Sequence, residues 1–226
     1  MNPSPPMPSR SPLVAAAALL GWLALALQLW LSIQLTIANG QGVLAGVWTY
    51  FGYFTILTNV LVAMALTAAA YGPHGAVSRF FTRPDVHTAI AMSIVIVAAI
   101  YNLMLRQLWQ PHGWQIVADN ALHVVMPALF LLYWWLAVPK VTLRFRQVVS
   151  WQTYPAVYFA YVLIRGAMNH WYPYPFLDVT TLGFVRVLIN ACVVLLIFVV
   201  VALLLVALGR WQVRRPGKTA APSAQP

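Results

Sequence analysis

The sequence predicts an all-α polytopic membrane protein, a compact bundle of six transmembrane helices with both termini in the cytoplasm. Of its 226 residues, 62% are hydrophobic and 7% are charged, and the mean hydropathy is +0.79. A soluble domain carries about 25% charged residues, so this composition indicates a chain embedded in lipid. Two further observations support the prediction: long apolar runs, and a strong bias in the placement of basic residues.

Each apolar run is near or above the roughly 20 residues that cross ~30 Å of hydrocarbon as a helix. We predict spans at 12–37, 46–70, 86–105, 116–137, 152–168 and 182–208. The first run exceeds the about 7–15 apolar residues of a secretory signal, so we interpret it as a span. The fifth is the shortest. Because the loops between runs are short, consecutive helices should be antiparallel neighbours.

The span limits define one membrane domain, residues 12–208. The flanking segments are predicted to be cytoplasmic tails. Residues 1–11 are rich in Pro and Ser and should be disordered, and residues 209–226 begin with basic residues before a disordered end.

Basic residues gather on one side if the N-terminus is placed in the cytoplasm. Ten of the 13 Lys and Arg residues then lie on the cytoplasmic side: Arg10, Arg79, Arg83, Lys140, Arg144, Arg146, Arg210, Arg214, Arg215 and Lys218. Cytoplasmic loops are enriched in Lys and Arg, so this orientation in the plasma membrane is expected. The net charge of +10 has the same cause, and no basic stripe with interleaved aromatic residues indicates nucleic-acid binding.

Polar side chains within the runs collect towards the opposite, extracytoplasmic side. They occur in spans two to six, often four residues apart and therefore on one helix face: Thr55, Asn59, Asn102, Arg106, Asp119, Asn120, His123, Tyr161, Arg165, Arg186 and Asn190. Such groups are unfavourable in lipid unless they face the bundle interior and find partners. We therefore expect a shared polar site in the outer half of the bundle.

The fifth run carries an aromatic stripe that ends in a cation. Trp151, Tyr154, Tyr158, Tyr161 and Arg165 follow steps of three and four residues, so they share one helix face. One interpretation is aromatic packing between helices. The other is one wall of a pocket for a long apolar ligand.

The loop after the fifth run, Trp171–Asp178, contains two prolines that restrict its backbone. It is expected to fold over the outer mouth of the bundle. It would then be either a rigid interfacial turn or a lid that carries Asp178 towards Arg165 or Arg186.

Among the polar groups, three fit a nucleophile, a base and an orienting acid. His123 can accept a proton from a hydroxyl, and Asp119, one turn earlier, can orient its other nitrogen. At 1.5 Å per residue, Thr55 lies about 13 Å and His123 about 10 Å from the starts of their runs, so the two should meet if their helices are neighbours. Asn59 or Arg165 would stabilise an oxyanion.

Neither a cofactor nor a metal site is predicted. The one cysteine, Cys192, lies in the sixth run and is interpreted as apolar filler. The sequence lacks a His-Glu-x-x-His motif and a phosphate-binding Gly-rich loop. His74 and His87, in or beside a cytoplasmic connection, are expected to be solvated.

Three segments together resemble the androgen-induced and androgen-dependent multispan membrane proteins. These are Phe51–Asn59, His123 followed by Pro127, and Tyr174–Asp178. Animal members of that family are threonine hydrolases that cleave fatty-acid esters of hydroxy fatty acids. The resemblance covers residues 46–208 and implies that Thr55 is the nucleophile and His123 the base. Asp119 has no clear acidic counterpart in that pattern, so its role is inferred from spacing alone.

The sequence thus predicts a membrane hydrolase of lipid carboxylic esters, whose partners are membrane lipids and the ester. Its substrate-binding or supporting residues would be Asn59, Asp119, Tyr158, Tyr161, Arg165, Asp178 and Arg186. Two other classes stay open: a transporter or small-ligand carrier with an outward polar cavity, and a structural or accessory membrane protein. A haem protein is disfavoured because only His123 is well placed to be an axial ligand.

Overall fold

The computed structural model describes residues 11–108 and 110–214. Within these ranges the chain forms helices joined by short connections, without a β-strand. The α-helices found there are α1 (Pro12–Ala38), α2 (Val43–Tyr50), α3 (Phe54–Tyr71), α4 (Ala76–Phe81), α5 (Pro84–Ile100), α6 (Trp114–Asn120), α7 (Met126–Ala137), α8 (Gln147–Trp151), α9 (Thr153–Asn169), α10 (Val179–Leu182) and α11 (Phe184–Arg214). Two π-helical turns, Tyr101–Leu105 and Ala121–Val125, extend α5 and join α6 to α7.

Five helical stretches of the described chain are long and apolar enough to cross a membrane: Pro12–Ala38, Phe54–Tyr71, Pro84–Leu105, Trp114–Ala137 and Phe184–Arg214. They correspond to the first four predicted spans and the sixth. The predicted fifth span corresponds to α9, which has 17 residues and is not among them. The prediction of an all-α fold is confirmed for the described residues, and five of their helical stretches could span a membrane by length and composition. The sixth crossing and the orientation of the termini stay predictions.

Four helices build the core of the bundle. Val62 of α3, Met92 of α5, Phe130 of α7 and Val206 of α11 are fully buried in one hydrophobic cluster. The helix α1 packs on the outside of α3 and also contacts α2. Large apolar side chains on the outer faces, such as Leu196 of α11, are exposed, as expected for helices that face lipid.

The second predicted span is not one continuous helix. Residues 51–53 interrupt it and separate α2 from α3. A break frees backbone groups that need partners in an apolar environment. Hydroxyls from α9 provide some of them, because Tyr161 donates to the Phe51 carbonyl at 3.2 Å and Tyr158 donates to the Gly52 carbonyl at 2.9 Å.

Two basic or titratable residues near the predicted cytoplasmic face are buried. His87 was expected to be solvated, but it is 3% exposed and packs against the rings of Phe130 and Tyr133. That prediction is wrong because residue 87 lies in the first turn of α5, which is already inside the bundle. The Lys140 ammonium donates to carbonyls at the end of α7, and burial lowers the pKa of this side chain to about 8.

Parts of the predicted tails lie outside the described residues. So do Arg10, Arg215 and Lys218, three of the ten residues that support the predicted orientation. The described part of the C-terminal segment is helical, because α11 continues as far as Arg214.

Candidate functional site

Thr55 is the second residue of α3, directly after the break in the second run. Its side chain is largely buried, with the residue 8% exposed. The distance from Thr55 Oγ1 to His123 Nε2 is 3.2 Å. The structure therefore brings together the hydroxyl and the imidazole that the sequence singled out, from helices α3 and the α6–α7 segment.

The second nitrogen of His123 faces Asp119. His123 Nδ1 lies 2.9 Å from the Asp119 backbone carbonyl and 3.3 Å from its Oδ1. Because both neighbours are acceptors, they assign the hydrogen of the neutral ring to Nδ1. The Nε2 lone pair is then directed at the Thr55 hydroxyl, which is the arrangement required of a general base.

A tyrosine that the sequence reasoning missed completes this group. The Tyr101 hydroxyl donates to Asp119 Oδ2, and its ring stacks on the His123 ring with centroids 3.8 Å apart and planes 17° apart. The sequence could have indicated Tyr101 as a site residue, because its hydroxyl lies in the outer half of an apolar run, next to Asn102. Tyr101 holds both the carboxylate and the plane of the imidazole.

Both π-helical turns meet at the site. Tyr101 and Asn102 belong to one, and Leu122 and His123 belong to the other. Asn102 Nδ2 donates to the His123 carbonyl at 3.4 Å and to the Ala98 carbonyl at 2.9 Å. Single π-helical turns within α-helices occur frequently at functional sites, and here they orient side chains towards one point.

Asn59 is fully buried one turn below Thr55. Its Nδ2 donates to the carbonyls of Thr55 at 2.9 Å and Leu122 at 3.1 Å. Asn59 therefore links α3 to the π-helical turn that carries His123, and both of its amide hydrogens have acceptors.

The stripe on α9 lies against the break between α2 and α3. The Tyr154 hydroxyl is 3.0 Å from Thr58 Oγ1, and the Tyr158 hydroxyl accepts from the Phe54 amide at 3.1 Å. Arg165 Nη2 donates to the Trp48 carbonyl at 2.8 Å, and its Nη1 donates to the Tyr161 hydroxyl at 2.9 Å. The stripe thus supports the backbone in front of Thr55, and Tyr158 also borders a pocket.

Arg165 is 2% exposed and surrounded by aromatic rings. Its guanidinium carbon is 4.2 Å from the Trp48 ring centroid and 5.3 Å from that of Trp171. Among the described residues it forms no ion pair with a carboxylate. Its contacts are with the break, so the structure does not bring it to Thr55 Oγ1.

Asp178 and Arg186 lie apart from the Thr55–His123 pair. The Asp178 carboxylate accepts from the Thr180 hydroxyl and from the amides of Thr180 and Thr181, and it caps α10. These hydrogen bonds, foremost that from the Thr180 hydroxyl, lower the pKa of its carboxyl group. Arg186 is exposed on α11. The expected approach of Asp178 to Arg165 or Arg186 does not occur among the described ion pairs.

The loop that carries Asp178 nevertheless folds over the break. The rings of Tyr53 and Trp171 are in edge contact at 5.6 Å, and the Tyr174 hydroxyl accepts from the Phe54 amide at 3.1 Å. Asn190 of α11 fixes the loop by donating to the Phe176 carbonyl at 2.9 Å.

A pocket that is partly open to the outside reaches Thr55. Apart from the hydroxyls of Thr55 and three tyrosines, its lining is apolar. The lining residues are Phe54, Thr55, Ile96, Val97, Ile100, Tyr101, Leu105, Pro155, Tyr158, Phe159, Tyr174, Phe176, Leu177, Ala191, Val194, Leu195 and Phe198. An apolar lining with a few hydroxyl groups is typical of sites that bind largely apolar ligands.

Within residues 11–108 and 110–214, no three His, Cys, Asp or Glu side chains form a cluster that would hold a metal ion. Comparison with family models, with curated proteins and with solved structures returned no match. The resemblance noted in the sequence therefore stays a hypothesis.

Proposed function

We propose that the protein is an integral membrane hydrolase of lipid carboxylic esters, in which Thr55 is the nucleophile and His123 is the general base. The observation that carries the proposal is the 3.2 Å separation of Thr55 Oγ1 and His123 Nε2, with Thr55 lining an apolar pocket. A threonine hydroxyl is a weak nucleophile at neutral pH and needs an adjacent base. Asp119 and Tyr101 hold that base in the orientation it requires.

The reaction has two steps. Thr55 Oγ1 attacks the ester carbonyl carbon while its proton passes to His123 Nε2, and the tetrahedral intermediate collapses when the leaving alcohol takes that proton. An acyl-threonine results. His123 then removes a proton from water, the hydroxide attacks the acyl group, and the carboxylic acid leaves as Thr55 regains its proton.

The substrate class follows from the pocket. Its walls come from α9, α11 and the segment around Tyr101, and they present almost only hydrocarbon. Because these walls are about as apolar as lipid tails, a fatty acyl chain can move from the bilayer into the pocket without leaving an apolar environment. We propose that the ester enters sideways from the bilayer, with its carbonyl at Thr55.

The proposed topology has six crossings. In it α9, although shorter than the other spans, crosses the membrane, because its 17 residues reach about 26 Å at 1.5 Å per residue. The distribution of basic residues supports an orientation with both termini in the cytoplasm and the site in the extracytoplasmic half of the plasma membrane.

Covalent labelling tests the nucleophile. A lipophilic fluorophosphonate should label the wild type in membranes and should not label Thr55→Ala, because the phosphonyl group bonds to the attacking oxygen. Thr67→Ala is the matched control, since Thr67 lies in the same helix and its hydroxyl bonds Trp22 and the Ala63 carbonyl away from the site.

Two outcomes would contradict the proposal. Undiminished labelling of Thr55→Ala would identify another nucleophile. Passage of a ligand across the membrane without turnover, unaffected by Thr55→Ala, would instead favour a transporter.

A further inference from the structure

Ester cleavage at Thr55 needs a donor for the oxyanion, and the two residues that the sequence pointed to are engaged elsewhere. The Asn59 amide donates to the carbonyls of Thr55 and Leu122. Arg165 donates to the Trp48 carbonyl and the Tyr161 hydroxyl, and although its buried Nε has no partner, Arg165 does not line the pocket that reaches Thr55. Since neither residue lines the pocket, a free hydrogen-bond donor near Thr55 Oγ1 is expected among the residues that do.

Two tyrosine hydroxyls lie at the start of α3. The Phe54 amide is 3.1 Å from the hydroxyls of both Tyr158 and Tyr174 and donates to them. The Tyr158 hydroxyl donates its own hydrogen bond to the Gly52 carbonyl at 2.9 Å. The amide from which Tyr174 accepts belongs to Phe54, the residue directly before Thr55. Since its oxygen already accepts an amide hydrogen, its proton can turn towards the reacting centre.

The surroundings of Tyr174 strengthen such a donor. Thr55 and Tyr174 both border the pocket, and Tyr174 is 8% exposed, so little water competes for its hydrogen. The N-terminal end of α3 adds the positive end of a helix dipole at the same point. A hydrogen bond to a developing negative charge is stronger in such a water-poor site than in bulk water.

We infer that the Tyr174 hydroxyl is a further catalytic group, which donates a hydrogen bond to the oxyanion formed when Thr55 attacks an ester. This inference rests on the proposed hydrolase function. As the bond from Thr55 Oγ1 to the carbonyl carbon forms, the π electrons of the carbonyl move to its oxygen and the Thr55 proton moves to His123. Tyr174 keeps its own proton throughout and is regenerated unchanged when the carbonyl re-forms.

Removal of one hydroxyl tests this role. Tyr174→Phe keeps the ring, its stacking on Phe176 and the loop, but removes the donor. With an umbelliferyl fatty-acyl ester, we expect kcat to fall about 100- to 1000-fold, the range for loss of one oxyanion-hole donor, while KM changes little. Fluorophosphonate labelling of Thr55 should slow in parallel yet reach the wild-type extent, which shows that the variant is folded.

Tyr172→Phe is the control on the same loop, because the Tyr172 side chain packs against Gly166 and is not part of the pocket lining. Its kcat should stay within about twofold of the wild type. A kcat of Tyr174→Phe equal to that of Tyr172→Phe, with Thr55→Ala inactive, would overturn the role of Tyr174 and leave the hydrolase intact. Absence of Thr55-dependent turnover in the wild type would overturn both proposals.

Discussion

The imidazole of His123 is held on three sides by neighbours from three helical segments: α3, the π-helical extension of α5, and α6. Asp119 takes its Nδ1 hydrogen, Tyr101 covers one face of the ring, and Thr55 lies at Nε2. The contact with Asp119 fixes the tautomer of the ring, stacking on Tyr101 fixes the orientation of its plane, and the contact with Thr55 fixes the position of Nε2. A histidine that served only to join two helices would not need all three.

Asp119 supports a prediction about rate. Asp119→Asn can direct an amide NH₂ at His123 Nδ1, which favours the tautomer with hydrogen on Nε2 and removes the base from Thr55. Loss of the carboxylate in a serine protease triad lowers kcat about 10⁴-fold. The Asp119 backbone carbonyl stays 2.9 Å from Nδ1, so we expect a smaller loss, roughly 100-fold in kcat, with KM nearly unchanged.

The matched control for this prediction is Asn120→Ala. The Asn120 side chain bonds only the Ile116 carbonyl of its own helix, so kcat should not change. Steady-state kinetics on purified protein in detergent measure both variants. An Asp119→Asn enzyme with wild-type kcat would show that the backbone carbonyl alone orients the ring.

At the level of helices, the decisive feature is that α9 supports the interruption between α2 and α3. Three of its side chains, Tyr158, Tyr161 and Arg165, bind backbone groups of residues 48–54. An interruption inside an apolar region is tolerated only where such partners satisfy the freed groups. It turns what would be a mid-helix threonine into the second residue of a helix, next to the pocket.

Gly52 tests the importance of the interruption. A Cβ at this position would lie 2.6 Å from Trp171 Cζ3 and 2.7 Å from Arg165 Nη1. Gly52→Ala should therefore displace the loop or the guanidinium and lower the free energy of unfolding by about 1–3 kcal/mol, the usual effect of overpacking. Activity should fall as well, because Tyr174 lies on the same loop as Trp171, and Thr55 directly follows the interruption that contains Gly52.

The comparison is Gly40→Ala, in the turn before α2. Gly40 has φ +75° and open space around it, so alanine meets only backbone strain of about 1–2 kcal/mol far from Thr55. Thermal unfolding and turnover of both variants separate the two effects. Full activity in Gly52→Ala would show that the site tolerates movement of the interruption.

For the molecule as a whole, apolar runs predicted most of the helical architecture. The length of a membrane-spanning helix is set by the thickness of the hydrocarbon, so the length of an apolar run predicts the length of the helix. The run 12–37, for example, corresponds closely to α1, Pro12–Ala38. The meeting of Thr55 and His123 was also predictable, because depth from the ends of two runs places both at a similar level.

The rest depends on contacts between distant parts of the chain. The interruption at residues 51–53 contains no proline, and the side chains that stabilise it lie about a hundred residues later. Tyr101 joined the site because π-helical turns rotate it onto His123, and local periodicity does not record such a rotation. The prediction that His87 is solvated was wrong because its position near the end of an apolar run does not show that the first turn of α5 is already buried.

Cysteine labelling tests the proposed six crossings. In a Cys192→Ser background, Ser150→Cys in α8 and Thr181→Cys after α9 report the two ends of α9, and both positions are exposed. If α9 crosses, an impermeant maleimide should label Thr181→Cys in intact spheroplasts, and Ser150→Cys only after permeabilisation. Gln41→Cys, in the loop after α1, should behave like Thr181→Cys.

Labelling of Ser150→Cys and Thr181→Cys from the same side would show that α9 returns without crossing. The proposal of six spans would then be wrong, and the placement of the termini would have to be revised with it.

Because the pocket is lined by hydrocarbon, the concentration that matters for the proposed substrate is its concentration within the membrane. A molecule that slides between α9 and α11 need never leave the acyl-chain phase before its carbonyl meets Thr55. Its supply is then a mole fraction within a two-dimensional solvent, and aqueous molarity has no direct bearing on it. Dilution of the substrate by inert phospholipid and the viscosity of the leaflet then determine the rate at which substrate molecules reach the Thr55 hydroxyl.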